Sequence, residues 1–391
     1  MARLTGGDPS LLRRINSAVV LRALRSAGPP PRHGEALTLT ELVRATGLSR
    51  PTVEGVVEGL GEAGLVAVAD EGQDGTVVRR GRPARRFRFR AEAGHLLGLE
   101  IGPHRVAATL ADLTGTTVGT HSRETGERVG AAERLERTRT TVAELLRRTG
   151  VSRSTLRAVG VGTPGIVRAD GSVVLGTALP GWTGLPLGER LRRSFHCPVL
   201  VENDANAAVL AEHWQGAAEG VRDVVMVLVG LSPGAGSLIG GRLHRGFGGA
   251  AGEIGALHLL GREATPERLL STTDEPLPPL DEAAVARVFA QARAGDGQAR
   301  RAMARFQRRL AHDVGALALA LDPELVVVGG WASGLDDVLA PLRRELERYC
   351  LRPPRVELSV LGETAVATGA LRLALDHVEA DLFSLEDAAD G

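Results

Sequence analysis

Residues 224–256 gather the residue types best suited to holding an anion. An apolar run, 224–229, enters a loop with Gly230, Gly234 and Gly236. After a turn at Gly240 and Gly241, a second cluster (Gly246, Gly248, Gly249, Gly252) ends at Glu253. Glycine has no Cβ, so backbone amides at the end of a strand can approach a charged group closely. A plain hairpin would use the same residues, and the spacing alone leaves both readings open. A second concentration of polar chemistry is Glu202-Asn-Asp-Ala-Asn206. The chain has three asparagines, and two of them fall within these five residues. They sit between an apolar strand at 199–201 and a helix predicted over 205–215. There Asn203 and Asp204 can cap the helix, offer polar atoms to a ligand, or do both.

A third concentration is basic. Seven arginines lie between Arg79 and Arg90, and the run Arg79-Arg-Gly-Arg-Pro83, continued by Arg85, contains Arg80-Gly-Arg-Pro83. That tetrapeptide resembles the AT-hook, an extended strip that lies in the narrow minor groove of A·T tracts, where enhanced negative potential attracts arginine. A solvated linker is the plainer reading of such a run.

The elements before it favour DNA. Apolar spacing predicts a helix over 15–27, followed by a Pro/Gly break at 28–31. Thr38-Leu-Thr-Glu41 reads as a capping box opening a helix over 39–46, with Gly47 at the turn. Ser49 can cap a third helix, to about residue 63, that buries Val53, Val56, Val57 and Leu60. A strand from Gly64 to Val66, a polar hairpin at 72–75 and a return through Val77 and Val78 complete a winged helix-turn-helix. The third helix would enter the major groove and present Ser49, Arg50 and Thr52. Glu54 and Glu58 share that face and weaken phosphate contact, so the wing and arginine strip are expected to carry much of the affinity, with a steep salt dependence. A helical domain serving only contacts within the protein is the alternative.

Composition supports a basic head on an acidic body. Net charge is zero, yet residues 1–90 hold 15 arginines against 9 acids. All 47 basic residues are arginine, a pattern of high-GC coding bias more than of physics. Cys197 and Cys350 match no metal or disulfide pattern, no apolar run approaches the ~20 residues needed to span a bilayer, and the first residues lack a signal-peptide core. A cytoplasmic location is therefore expected, without membrane partners. At 391 residues two to three domains are expected. Strands at 96–101, 105–110 and 156–161 with a helix at 130–148 form one α/β set, with a turn at 112–115. The pattern restarts at 224–229, followed by helices at 281–294, 297–321 and 335–349 and a strand at 325–328. Two such halves imply two lobes with a cleft between them.

From about residue 11 onward the chain resembles the ROK family of repressors, open reading frames and sugar kinases. Gly230-x-x-x-Gly-x-Gly236, Gly240-Gly-Arg242 and Arg245-Gly-x-x-Gly-Ala-Ala-Gly-Glu-Ile-Gly255 resemble its signature. The resemblance implies an α/β, two-lobed actin-like (ribonuclease H-like) sugar-kinase body behind the winged helix-turn-helix. The domains would be 1–90, 91–222 and 223–391, with the last helix packing back on the first lobe and an acidic, disordered tail over about 380–391. It further implies that Gly162-Thr163-Pro164-Gly165 is the sugar-contacting loop and that Leu179-Pro-Gly-Trp182 is the next surface motif. Asn203 would hold a sugar hydroxyl, Asp204 would be the general base of the kinases, well placed at a strand–helix junction, and Glu253 would bind the sugar. Pro323-Glu-Leu-Val-Val-Val-Gly-Gly330 resembles the nucleotide-side strand.

The departures from the family weigh against catalysis. Kinases of the family carry Asp-Ile-Gly-Gly-Thr where this chain has Glu100-Ile-Gly-Pro-His104, and Ser232-Pro233 interrupts the second loop. Proline removes a backbone donor on which phosphoryl transfer relies. Ala256 stands in place of the His that touches sugar and zinc, and Ala178 in place of an Asn. The zinc-binding cysteines are absent from 257–275, so His258 alone makes no zinc site. Glu267 falls loosely where the family has its last sugar-binding Glu. The expectation is a DNA-binding transcriptional regulator, a repressor, with a carbohydrate-like effector between the lobes, Asp204 as a vestigial base, and no metal, zinc or ATP cofactor. A homodimer or homotetramer would read a pseudo-palindromic double-stranded operator, and effector binding would change the spacing of the heads. A sugar kinase with an added N-terminal domain, or a regulator without an effector, are the alternatives.

Overall fold

The head is built from short elements whose ends are fixed by their own neighbours. In the computed structural model, residues 9–27, 35–69, 84–126, 128–229, 233–255, 265–278, 282–330 and 338–383 are described. Helix α1 (Pro9–Arg25) starts earlier than its apolar period predicts, because proline, lacking an N–H, suits a first turn. After strand β1 (Leu37–Thr38), helix α2 (Leu39–Thr46) carries the predicted capping box. Thr38 Oγ1 accepts from the Glu41 amide at 3.2 Å, and the Glu41 carboxylate accepts from the Thr38 amide at 2.7 Å. Gly47, at φ 71°, closes the helix in the left-handed region, which glycine enters without strain. Helix α3 (Arg50–Glu62) is capped by Ser49 and buries Val53, Val56, Val57 and Leu60, the i, i+3, i+4, i+7 stripe of an amphipathic helix.

Strands β2 (Val66–Val68) and β3 (Arg86–Phe89) join β1 in an antiparallel sheet of order β1-β3-β2. The return strand was expected at Val77 and Val78, which, with the hairpin at 72–75, lie outside the described residues. The strand that pairs with β2 is β3, with Val66 opposite Phe89 and Val68 opposite Phe87. The end of the arginine run is thus a strand, with Phe89 buried and Arg86 exposed.

This head, with Ala111–Thr116 and the chain from Leu375, forms one compact unit; Leu96–Leu110 and Thr117–Ala374 form the other. Within the first, Arg25 pairs with Glu379 at 2.5 Å. The second unit is built on two five-stranded sheets. The first has the order β10-β7-β4-β5-β6, from β4 (His95–Ile101), β5 (Arg105–Asp112), β6 (Thr117–Glu124), β7 (Leu156–Thr163) and β10 (Val199–Asn203). Helices α4 (Ala131–Thr149), α5 (Leu187–Arg192) and α6 (Asp204–Gln215) accompany it, with a small hairpin, β8 (Ile166–Val167) and β9 (Val173–Leu175). Edge strand β6 was not foreseen: Thr117-Val-Gly-Thr-His-Ser-Arg-Glu124 is mostly exposed and polar, so it offers no alternation to read.

The second sheet has the order β13-β12-β11-β14-β15. It comprises β11 (Val224–Val229), β12 (Gly234–Ile239), β13 (Arg242–Leu243), β14 (Leu325–Gly330) and β15 (Arg355–Leu358), with α7 (Pro266–Leu270), α8 (Glu282–Arg293), α9 (Gly297–Leu321) and α10 (Leu339–Tyr349). Parallel β11 and β14 are continuous valine- and leucine-rich runs, as expected of strands covered on both faces, while β15, Arg-Val-Glu-Leu, pairs parallel at the edge. Each sheet has its own apolar core, one around Leu97, Leu110 and Trp182, the other around Val227, Phe289 and Val328.

Helix α11 (Ala365–Phe383) returns to the first sheet. A Cβ on Gly160 would lie 1.8 Å from the Ala370 carbonyl oxygen, and one on Gly98 2.2 Å from that of Ala367, so backbone meets backbone along this crossing. The helix runs through 380–383, part of the stretch expected to be a disordered tail; residues 384–391 lie outside those described. The second glycine cluster is likewise a packing device. A Cβ on Gly252 would stand 1.8 Å from the Ala235 oxygen and one on Gly249 2.4 Å from the Val167 oxygen.

Candidate functional site

At the start of α3, local bonds fix the residues expected to face DNA. Ser49 Oγ accepts from the Thr52 amide at 3.3 Å and lies 2.7 Å from Thr52 Oγ1, so the two hydroxyls cap the helix and each other. Arg50 Nε donates to Glu54 at 2.9 Å, both side chains being largely exposed. An exposed pair of this kind is weak, at about 0.3–0.5 kcal/mol, and opens readily when a phosphate or base competes. On β3, Arg86 donates to the Ala36 carbonyl at 3.0 and 2.7 Å, and Arg88 holds Glu92 at 2.6 Å. These arginines fasten the wing, and Arg85 is exposed beside them. Arg79, Arg80, Gly81, Arg82 and Pro83 lie outside the described residues.

In the second unit a cavity of about 1150 Å³ opens between the two sheets. Its lining brings together Gly162, Pro164, Gly165, Asn203, Asp204 and Glu253. Asn203 stands at the junction of β10 and α6. Its Oδ1 accepts from the Ala205 and Asn206 amides at 2.9 and 3.1 Å, and its Nδ2 donates to the Gly165 carbonyl at 3.1 Å. The cap role is thus filled, and the Asn203 side chain also hydrogen-bonds Asp204. Asp204 accepts from the Ala205 amide at 2.9 Å. Burial pushes its pKa up to about 6. Burial, and then the Asp204 charge, also raise that of Glu253.

Thr163 does not join the lining. It is buried, its hydroxyl donates to the Ile101 carbonyl at 3.1 Å, and it accepts from Trp182 Nε1 at 2.9 Å. The expected ligand contact is therefore a structural peg. Leu179 and Trp182 are correspondingly core residues, not a surface motif. Glu267, on α7, is not among the described lining residues, and its carbonyl accepts from the Leu277 amide at 3.1 Å. Gly230, Ser232, Ala256 and His258 lie outside the described residues.

Arg105, Glu363 and Arg134, not singled out from the sequence, brace the loops on the far side of the cavity. Arg105 donates to Glu100 at 2.8 Å and to the Glu363 carboxylate at 2.5 Å. Burial raises the pKa of Glu100, against the pull of Arg105. Fully buried Arg134, on α4, donates to the carbonyls of Gly102, Pro103, Gly126 and Val129 and so holds the loop carrying Pro103 and His104. Buried Glu202 binds Asn206 Nδ2 at 2.9 Å and Arg245 at 2.6 Å. Arg105 and Glu363 are 258 positions apart, and no sequence spacing links them.

Fold and site together define a helix-turn-helix head on a two-sheet α/β body of the sugar-kinase type. The model of the ROK family matches residues 96–377, and that of the IclR helix-turn-helix domain matches residues 16–69. The xylose repressor of Caldicellulosiruptor bescii is 23% identical, over 95% of this chain and 98% of its own length. The crystal structure of a ROK family transcriptional regulator, a homologue of the E. coli MLC protein, superposes with a TM-score of 0.69 at 19% identity, covering 95% of this chain and 98% of that one. A ROK family glucokinase from Streptomyces griseus, in complex with glucose and AMPPNP, gives 0.61 at 26% identity, over 72% of this chain and all (100%) of its own. The chain belongs to the ROK family. With its helix-turn-helix head it is a transcriptional regulator of that family, not an enzyme.

Proposed function

We propose that the protein is an operator-binding repressor whose DNA affinity is set by a carbohydrate bound in the cavity lined by Asn203, Asp204 and Glu253. The observation that carries this reading is the pairing of the helix-turn-helix head with a cavity that keeps these hydroxyl-bonding groups. Full-length similarity to a xylose repressor and the glucose complex of the glucokinase support a sugar as effector. The body works without ATP or zinc. Pro103 offers no amide to a phosphate, and the neighbouring Glu100 carboxylate already holds Arg105, an arrangement that repels a nucleotide and lacks the donors of phosphoryl transfer. Two or four copies would read a pseudo-palindromic site, in the cytoplasm, where a bacterial-type regulator meets its DNA. No helix among the described residues is long and apolar enough to cross a membrane.

The test is fluorescence anisotropy of labelled DNA from upstream of the gene, titrated with protein in the presence of pentoses and hexoses. At least one sugar should shift the DNA dissociation constant severalfold, and Asp204→Ala should abolish the shift while leaving sugar-free DNA binding intact. If a sugar binds the protein tightly by calorimetry and DNA affinity does not move, the coupling is wrong.

A further inference from the structure

Helix α3 carries few side chains that can tell one base from another. On its solvent face Gly55 and Gly59 offer none, and a Cβ added at either would meet nothing within 4 Å. The Ser49 and Thr52 hydroxyls lie 2.7 Å apart, and hydroxyls donate and accept alike, so they carry no base preference. Arg50 is the one cationic residue of the helix. Its Nε donates to Glu54 Oε1 at 2.9 Å. Both Arg50 Nη groups and Glu54 Oε2 are left without a partner among the described residues. The two side chains occupy the N-terminal part of the reading helix, the part that meets base edges in this motif.

The linked pair presents donor, donor, acceptor in a row. In the major groove a G·C pair shows the complement: guanine N7 and O6 accept, and the cytosine N4 amine donates. An A·T pair shows acceptor, donor, acceptor. It would set the adenine amine against the guanidinium and thymine O4 against the carboxylate. The carboxylate works chiefly by rejection, because phosphates and base acceptors repel it and only an amine facing it relieves that repulsion.

We infer that Arg50 and Glu54 act as one unit that reads a G·C pair, with guanine on the Arg50 Nη groups and its cytosine N4 on Glu54 Oε2. This rests on the operator-binding reading above and deepens it: Glu54, whose charge by itself weakens phosphate contact, sets the choice of base. Glu58, a turn further on, has no arginine of α3 beside it and forms no such unit.

Selection of binding sites from random-sequence DNA by the full-length protein, followed by anisotropy titrations of the selected site, tests it. The selected site should hold a G·C pair at a fixed place, and exchanging that pair for A·T should weaken binding about tenfold or more. With the unaltered protein, 7-deazaguanine, which lacks N7, and N4-methylcytosine, which blocks the groove-side N–H, should each weaken binding severalfold at that pair. Glu54→Gln should lower the ratio of G·C to A·T affinity severalfold while raising affinity for the A·T site. Arg50→Ala should bring the ratio close to one, with circular dichroism confirming the fold of both variants. A selected site without a fixed G·C pair, or a G·C preference that survives Glu54→Gln or either base analogue, would overturn the inference and leave the operator-binding reading standing. No selected sequence at all would overturn both.

Discussion

The head and the cavity solve the same problem, the pairing of polar groups, in opposite ways. In the head, many partners are neighbours in sequence and lie near water: Thr38 with Glu41, Ser49 with Thr52, Arg50 with Glu54, Arg88 with Glu92. In the body, partners are distant in sequence and at least one member is buried: Arg134 with Gly102, Glu202 with Arg245, and Glu212 with Ser359 at 2.5 Å. Local, hydrated pairs each contribute little, so the reading surface can exchange them for DNA contacts at small cost. Desolvated pairs hold loops rigid, and losing one partner leaves the other stranded. A surface that trades contacts and a pocket that must keep its shape call for these two designs.

The contrast breaks most severely at Arg134. Arg134→Ala removes the donor shared by four carbonyls and leaves a void. A loss of about 3 kcal/mol or more is expected in denaturant unfolding, along with loss of sugar binding as the Pro103 loop slackens. The next effect has the opposite sign. The folded-state pKa of Asp204 is about 6, raised by burial from 3.8, so between those values the folded chain binds more protons than the unfolded one. Stability conferred by that proton is present at acid pH and is lost as pH rises through about 6. Asp204→Asn should therefore stabilise the protein by about 3 kcal/mol at pH 7 and flatten the melting profile between pH 4 and 6 that the wild type shows. A variant that loses stability at pH 7 would contradict the cost assigned to that carboxylate.

In the head the effects shrink. Thr38→Ala breaks the capping box and should cost about 1 kcal/mol by thermal melting. Glu54→Gln is smallest in stability, within about 0.5 kcal/mol. It releases Arg50 and lowers the negative charge of the α3 face, so DNA affinity should rise severalfold. A drop in stability as large as that of Arg134→Ala would show that the head, too, depends on its pairs for shape.

The same contrast explains what the sequence disclosed. Helices α2 and α3 were legible to within a residue because cap, apolar stripe and terminating Gly47 are written within a dozen positions. Strand β6 was not, since a polar edge strand carries no alternation, and β3 was hidden because Phe87 and Phe89 alternate inside what reads as an arginine strip. In the body, Asn203, Asp204 and Glu253 could be picked out by motif, and they share one cavity. Arg105, Glu363 and Arg134 could not, because their roles exist only once distant strands and helices meet. Thr163 was misread for the same reason: its hydroxyl turns inward to Trp182, 19 positions away. Gly249 and Gly252, for which an anion site and a plain hairpin were both open, answer to close backbone packing against Val167 and Ala235.

The most direct measurement is a fluorescence-anisotropy titration of the full-length protein against DNA from upstream of its own gene, at two salt concentrations and with excess non-specific competitor. Sequence-selective binding that weakens steeply with salt, and loses its sequence preference in Arg50→Ala, is the result expected of this regulator. Binding that is unselective, or selectivity untouched by Arg50→Ala, would contradict the assignment of α3 as the reading helix.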